Sequence, residues 1–128
     1  MLKTDRDLRI VYKEFPVLGP ESVVAARAAL AANRQGRYAA FHDAMMAVRG
    51  PFDDDRIYQV ASSVGLDLAR LKRDMAAPQI AAELKANLAL ADALDVHGTP
   101  TFIIGKEIVP GAIDIASLER LIAAARKP

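Results

Sequence analysis

The chain has 128 residues, 52% hydrophobic and 26% charged, which is the size and composition of one ordinary globular domain. Its 17 basic and 16 acidic residues leave a net charge of +1, so neither nucleic acid nor a membrane is predicted as a partner. The chain has no cysteine, and its two histidines, His42 and His97, lie far apart in sequence. These counts exclude thiolate chemistry and disulfides, and they predict no metal site and no cofactor.

The N-terminal segment combines a polar start with a predicted strand. Charged residues interrupt Met1–Ile10, which excludes a signal peptide there. Leu8–Phe15 then carries β-branched and aromatic residues, and Pro16 follows it. This pattern predicts a β-strand that ends at the proline.

Five helices are predicted between about residues 20 and 95. Apolar residues at helical spacing define Glu21–Asn33 and Arg37–Val48. Asp53 and Asp67 are suited to cap the third and fourth helices, and Pro78 is suited to the first turn of the fifth. The apolar stripe of the fifth helix repeats every three or four residues and consists of Ile80, Leu84, Leu88, Ala91 and Leu94.

The C-terminal part changes character after the fifth helix. Thr101–Ile104 and Glu107–Val109 are predicted strands, and the two residues between them favour an antiparallel hairpin. Asp114 is suited to cap a final amphipathic helix. One strand and one hairpin are too few to cover the apolar faces of so many helices, which indicates that the sheet lacks a strand.

Three segments resemble the DsbA-like protein-disulfide oxidoreductases of the thioredoxin superfamily. They are Val11–Ala32, the Y-x-x-F-H-D-A-M-M helix at Tyr38–Met46, and, most specific, V-H-G-T-P-T-F-I-I-G at Val96–Gly105. The resemblance implies an α/β fold, an incomplete thioredoxin-like domain spanning residues 1–128 with a helical insertion at about 20–95. The family's first strand and its C-x-x-C helix have no counterpart here, so the absent strand would be the central one.

The G-T-P-T motif is the candidate site. An X-Pro bond adopts the cis form at a cost of only about 0.5–1 kcal/mol, and we expect Thr99–Pro100 to be cis. In the family this loop contacts an extended polypeptide substrate through main-chain hydrogen bonds. The resemblance carries that role onto Thr99 and Pro100, with Gly98 and His97 beside them, and no catalytic residue is predicted.

The resemblance implies a thiol-disulfide oxidoreductase of protein substrates that is redox-inactive as it stands, because the cysteine motif is absent. Two alternatives stay open: a glutathione-binding transferase or isomerase of the kappa type, and a non-catalytic peptide-binding module. Binding to immobilised glutathione would identify the first, and peptide binding without redox activity would identify the second. Full-length relatives imply a periplasmic or exported protein.

The missing central strand predicts a homodimer. Such a strand would place about five apolar side chains between the layers, worth roughly 8–15 kcal/mol. That is as large as the whole stability of a typical domain. The edges at Leu8–Phe15 and Thr101–Ile104 are the expected templates for pairing with a second copy.

Overall fold

A computed structural model describes residues 2–17, 19–50 and 52–128 of the chain. In these ranges the elements are α1 Pro20–Arg34, α2 Tyr38–Ala47, α3 Asp54–Ser63, α4 Leu68–Met75, α5 Pro78–Ala93, β1 Thr101–Ile104, β2 Glu107–Pro110 and α6 Ile115–Ala125. They fall into two compact units, one formed by the chain up to Lys13 together with Ala91–Pro128, the other by Glu14–Leu90. None of the helices in the described ranges combines the length and apolar character needed to cross a bilayer.

Aspartate side chains begin three of the helices, as the sequence predicts. Asp53, Asp67 and Asp114 each accept a hydrogen bond from the backbone N–H three residues further on, at 2.7–3.0 Å. At each helix, this bond satisfies one of the backbone N–H donors that the start of a helix leaves without a partner. The predicted caps of α3, α4 and α6 are therefore confirmed.

The core of the helical unit is built on the small residues of α1. Ala28, Ala31 and Ala32 are fully buried, so α2, α3 and α4 can all pack against α1. Larger side chains from those helices fill the space, and the fully buried ones include Phe41, Ile57 and Leu71.

The stripe predicted for α5 is correct in part. Ile80 and Leu84 are buried, but Leu88 is 44% exposed, and the polar residue Asn87 is buried in its place. The side-chain Nδ2 of Asn87 donates to the main-chain carbonyl of Glu14 at 3.1 Å. A hydrogen bond to the preceding chain therefore explains why a polar group occupies this face.

The strand predicted over Leu8–Phe15 is wrong, because the structure places no regular secondary structure there. A strand needs a neighbouring strand to take up its backbone hydrogen bonds, and the sheet in the described residues has only β1 and β2. At the end of the segment, Glu14 is held by side chains instead. Its carbonyl accepts from Asn87 and its carboxylate accepts from the hydroxyl of Tyr38.

The second unit contains the hairpin and α6. β1 and β2 are antiparallel, with Ile104 opposite Glu107 next to the turn. Gly105 has φ 60°, and a Cβ there would lie 3.1 Å from the Cβ of Ala125 in α6. The turn therefore needs glycine both for its left-handed backbone and for the close approach of α6.

Candidate functional site

The four predicted site residues lie together in one exposed loop. His97, Gly98, Thr99 and Pro100 connect the end of α5 to the start of β1, and all four are exposed. The Thr99–Pro100 peptide bond is cis. The loop therefore presents a short run of main chain on the surface of the hairpin unit.

Three hydrogen bonds hold the main chain around this loop. The N–H of Val96 donates to the carbonyl of Ala91 at 2.8 Å. The carbonyl of Gly98 accepts from the hydroxyl of Thr101 at 2.7 Å. The carbonyl of Pro100 accepts from the N–H of Gly111, also at 2.8 Å.

Thr99 lies between these fixed points. In residues 2–17, 19–50 and 52–128, no hydrogen bond engages the N–H or the carbonyl of Thr99. Backbone N–H and C=O groups are strong hydrogen-bonding groups and are nearly always paired in the folded state, with protein or with water. A main-chain donor and acceptor at an exposed residue are what an extended peptide needs for main-chain pairing.

His97 is oriented by a neighbouring carboxylate that the sequence reasoning missed. Its Nε2 lies 2.6 Å from Oδ1 of Asp95, and Asp95 adopts the left-handed backbone conformation with φ 57°. The two atoms are within hydrogen-bond distance, so the carboxylate fixes the direction in which the imidazole ring points. Aspartate is among the residues that tolerate this backbone region. The aspartate two residues before His97 was therefore the feature of the sequence that could have indicated this contact. The pair is highly exposed, so it orients the ring more than it stabilises the fold.

The second histidine, His42, belongs to the helical unit and lies on α2. Its ring stacks on Tyr38 with centroids 5.7 Å apart and an interplanar angle of 16°. Tyr38 in turn donates to the carboxylate of Glu14. This arrangement is that of a structural histidine on a helix that packs within its unit.

The loop that contains the cis-proline leads into an antiparallel hairpin, and a C-terminal helix follows the hairpin. This order of elements is that of a thioredoxin-like protein, here with a large helical part before the loop. The model of the DSBA-like thioredoxin domain family matches residues 2–123, and the chain belongs to this family. The predicted fold class and family are therefore confirmed.

Two solved structures to which this chain is similar are those of thioredoxin-like proteins. A thioredoxin-like oxidoreductase from Silicibacter pomeroyi DSS-3 is 42% identical, with a TM-score of 0.95 over 99% of this chain and 73% of that chain. A periplasmic thioredoxin-like protein from Salmonella enterica serovar Typhimurium is 32% identical, with a TM-score of 0.71 over 88% of this chain and 63% of that chain.

The curated relatives are much longer proteins. The Na(+)/H(+) antiporter NhaA of Herminiimonas arsenicoxydans is 29% identical over 121 residues, which cover 94% of this chain and 19% of the antiporter. The chain thus spans about a fifth of the length of the curated relatives it matches. A domain of this family is therefore found inside longer polypeptides.

Proposed function

We propose that this chain is the polypeptide-binding part of a DsbA-like thiol-disulfide oxidoreductase and has no redox activity of its own. The loop of His97, Gly98, Thr99 and Pro100 would hold an extended polypeptide, and the thiol that reacts with that polypeptide would come from outside this chain. The observation that carries the proposal is the free main chain of Thr99 in a loop fixed on both sides.

The chemistry of the loop favours binding over catalysis. Thiol-disulfide exchange needs a thiolate that attacks a disulfide sulfur, and the chain contains no cysteine. Main-chain recognition needs no particular side chain, since the N–H and C=O of Thr99 can pair with any extended peptide. The same two facts support a second candidate, a peptide-binding module that acts without any redox partner.

Binding of an unfolded polypeptide tests the proposal directly. Amide chemical shifts of the ¹⁵N-labelled chain would be followed during titration with a reduced and alkylated protein substrate. We expect the largest shifts at His97–Thr101. Shifts confined to other elements, or no binding at millimolar substrate, would contradict the proposed role of the loop.

Two substitutions at one position separate main-chain from side-chain recognition. Thr99→Pro removes the N–H, and the loss of one hydrogen bond of about 0.5–1.5 kcal/mol should weaken binding about 2- to 13-fold. Thr99→Ala keeps the N–H and should bind like the parent chain. Circular dichroism of both variants checks that the fold is retained. Equal weakening by both substitutions would indicate that the threonine side chain makes the contact.

Two broader features, the cellular setting and the domain organisation, complete the proposal. We place the chain in a periplasmic or exported setting, a proposal supported by the periplasmic thioredoxin-like relative. We take residues 1–128 as one incomplete thioredoxin-like domain with a helical insertion. From the antiporter relatives we take only that such a domain occurs within a longer protein. The match covers about a fifth of the length of the antiporter.

We also propose that the chain is a homodimer. The support is the number of large apolar side chains that remain on the surface of the hairpin unit. These exposed residues include Leu2, Ile10, Val11, Tyr12, Ile103, Ile108 and Ile115. Such residues would be covered in part by a second copy. Sedimentation velocity across the micromolar range tests the oligomeric state, and a single species near 13.8 kDa would contradict it.

A further inference from the structure

The carboxylate and imidazole at the entrance of the loop form an acid–base pair that polypeptide binding alone does not need. Nε2 of His97 lies 2.6 Å from Oδ1 of Asp95, and both side chains are largely exposed. A pair as exposed as this contributes little to the stability of a fold. Within the described ranges, no hydrogen bond engages the second ring nitrogen, Nδ1. One nitrogen of the ring is thus left to meet a bound molecule.

Backbone hydrogen bonds fix the place of this pair. The N–H of Asp95 donates to the carbonyl of Asp92 at 3.1 Å, and the N–H of Val96 donates to the carbonyl of Ala91 at 2.8 Å. His97 follows directly, so both members of the pair project from a backbone that is tied to the last turn of α5. Groups held by their surroundings in this way are preorganised, which the chemistry of a site requires.

The imidazole is close to the main chain that we propose to hold the polypeptide. Two residues of chain span at most about 7 Å, so the Cα atoms of His97 and Thr99 lie no further apart than this. Residues that face each other in paired chains have Cβ atoms about 4.5–5.5 Å apart. A cysteine at or next to the polypeptide residue that pairs with Thr99 can therefore bring its sulfur to the imidazole.

The reaction of the family gives such a base a task. In thiol-disulfide exchange the attacking group is a thiolate. The pKa of an ordinary peptide cysteine is about 8.5, so only about 3% of the thiol is ionised at pH 7. Complete transfer of the proton to a neighbouring base raises that fraction by a factor of about 30. Imidazole suits this transfer near neutral pH, and a carboxylate behind the ring orients it and stabilises the imidazolium that forms.

We propose that His97 accepts the proton of a cysteine thiol in the polypeptide bound at Thr99, and that Asp95 positions the ring for this transfer. The inference rests on the proposed function and names its substrate class, which is polypeptides with a reduced cysteine in the bound segment.

The proposed step balances without any redox group in this chain. The S–H bond breaks, an N–H bond forms on the imidazole, and the products are a thiolate and an imidazolium. The thiolate then attacks a disulfide of the redox partner, and the imidazolium returns its proton to the thiolate that leaves. Only a proton passes through this chain, so the step is compatible with its lack of cysteine.

Alkylation of a bound peptide by iodoacetamide measures the step, because the reagent attacks the thiolate and the chain adds no thiol of its own. The probe is a short acetylated and amidated peptide with one central cysteine, and mass spectrometry follows its conversion at pH 7. The ¹⁵N-labelled chain reports saturation of the loop through the amide shifts of His97–Thr101. At saturation we expect alkylation at least threefold faster than for the free peptide.

Three substitutions assign the acceleration to the pair. His97→Gln removes the base and keeps a polar side chain, and the bound peptide should then react no faster than the free one. Asp95→Asn keeps a residue that tolerates the left-handed backbone and removes the charge, and it should lose at least half of the acceleration with an unchanged dissociation constant. His42→Gln changes the histidine on α2 instead and should keep the full acceleration. Circular dichroism checks that each variant is folded.

The outcomes distinguish this inference from the proposed function. A peptide that binds at the loop but is alkylated no faster than the free peptide would refute proton transfer and leave polypeptide binding intact. Proton transfer is also refuted if His97→Gln keeps the acceleration. It is equally refuted if a higher peptide concentration restores the parent rate in that variant, since His97 would then contribute only to affinity. A chain that does not bind the peptide in the millimolar range contradicts both.

Discussion

The hydrogen bond between Asn87 and Glu14 is the contact whose loss we expect to be most informative for the fold. Asn87 is 6% exposed on a face of α5 that is otherwise apolar, and its Nδ2 donates to the carbonyl of Glu14 at 3.1 Å. Asn87→Ala removes the donor and leaves that carbonyl without its partner. We expect the substitution to destabilise the helical unit and to release the segment around Glu14.

The magnitude follows from the burial of Asn87 and the partial burial of this hydrogen bond. A buried polar group left without its partner costs about 1–3 kcal/mol, more than the roughly 1 kcal/mol that a typical hydrogen bond contributes. With a urea m-value of about 1–3 kcal/mol per molar, the midpoint of unfolding should fall by about 1 M. Asn33→Ala is the control, because Asn33 is exposed near the end of α1 and its substitution should change stability by less than about 0.5 kcal/mol.

Urea unfolding followed by circular dichroism measures the global effect, and limited trypsin cleavage measures the local one. Lys13 directly precedes Glu14, so release of the segment should speed cleavage after Lys13 in Asn87→Ala but not in Asn33→Ala. If Asn87→Ala has the midpoint and the cleavage rate of the parent chain, the Asn87 side chain does not anchor the chain at Glu14.

Three further predictions follow from the sequence and the packing. The purified chain should reduce insulin no faster than buffer, since it has no cysteine, and activity above the blank would disprove this. The side-chain hydrogen bond from Arg126 lowers the pKa of Asp5 below its ordinary value of 3.8, so its contribution to stability is present above that value. That contribution is lost as the pH falls through the lowered pKa, and melting temperatures of Asp5→Asn and the parent chain should differ at pH 7 and converge at strongly acidic pH. Leu71→Ala opens a cavity at a fully buried position and should cost about 2–5 kcal/mol in urea unfolding, whereas Leu90→Ala, at a 44% exposed position, should cost less than about 1 kcal/mol.

Local signals made the helices and the hairpin predictable. A cap such as Asp53 or Asp114 and a two-residue turn such as Gly105-Lys106 act within a few residues, so their effect is readable in sequence. The predicted strand at Leu8–Phe15 failed for the opposite reason. Its residues suit a strand, but a strand exists only with a partner, and that partner is a property of the whole sheet.

The site was predictable as a motif, but its supporting contacts were not. The G-T-P-T pattern located Thr99 and Pro100, whereas the hydrogen bond from Gly111 to Pro100 depends on how the hairpin returns to the loop. The pairing of Asp95 with His97 depends on a left-handed backbone at Asp95. Neither contact has a residue pattern of its own, because each is fixed by backbone direction and not by residue type.

The contacts that fix the loop also bear on whether binding can be separated from redox chemistry. The hydrogen bonds on either side of Thr99 run from Val96 to Ala91, from Thr101 to Gly98 and from Gly111 to Pro100. All six residues belong to the C-terminal part of this chain. None involves a sulfur atom, and none needs a charged partner that titrates near neutral pH. A loop supported in this way keeps its free N–H and C=O whether or not a thiol lies beside it. This independence is the physical reason to expect polypeptide binding from a member of an oxidoreductase family that has no cysteine.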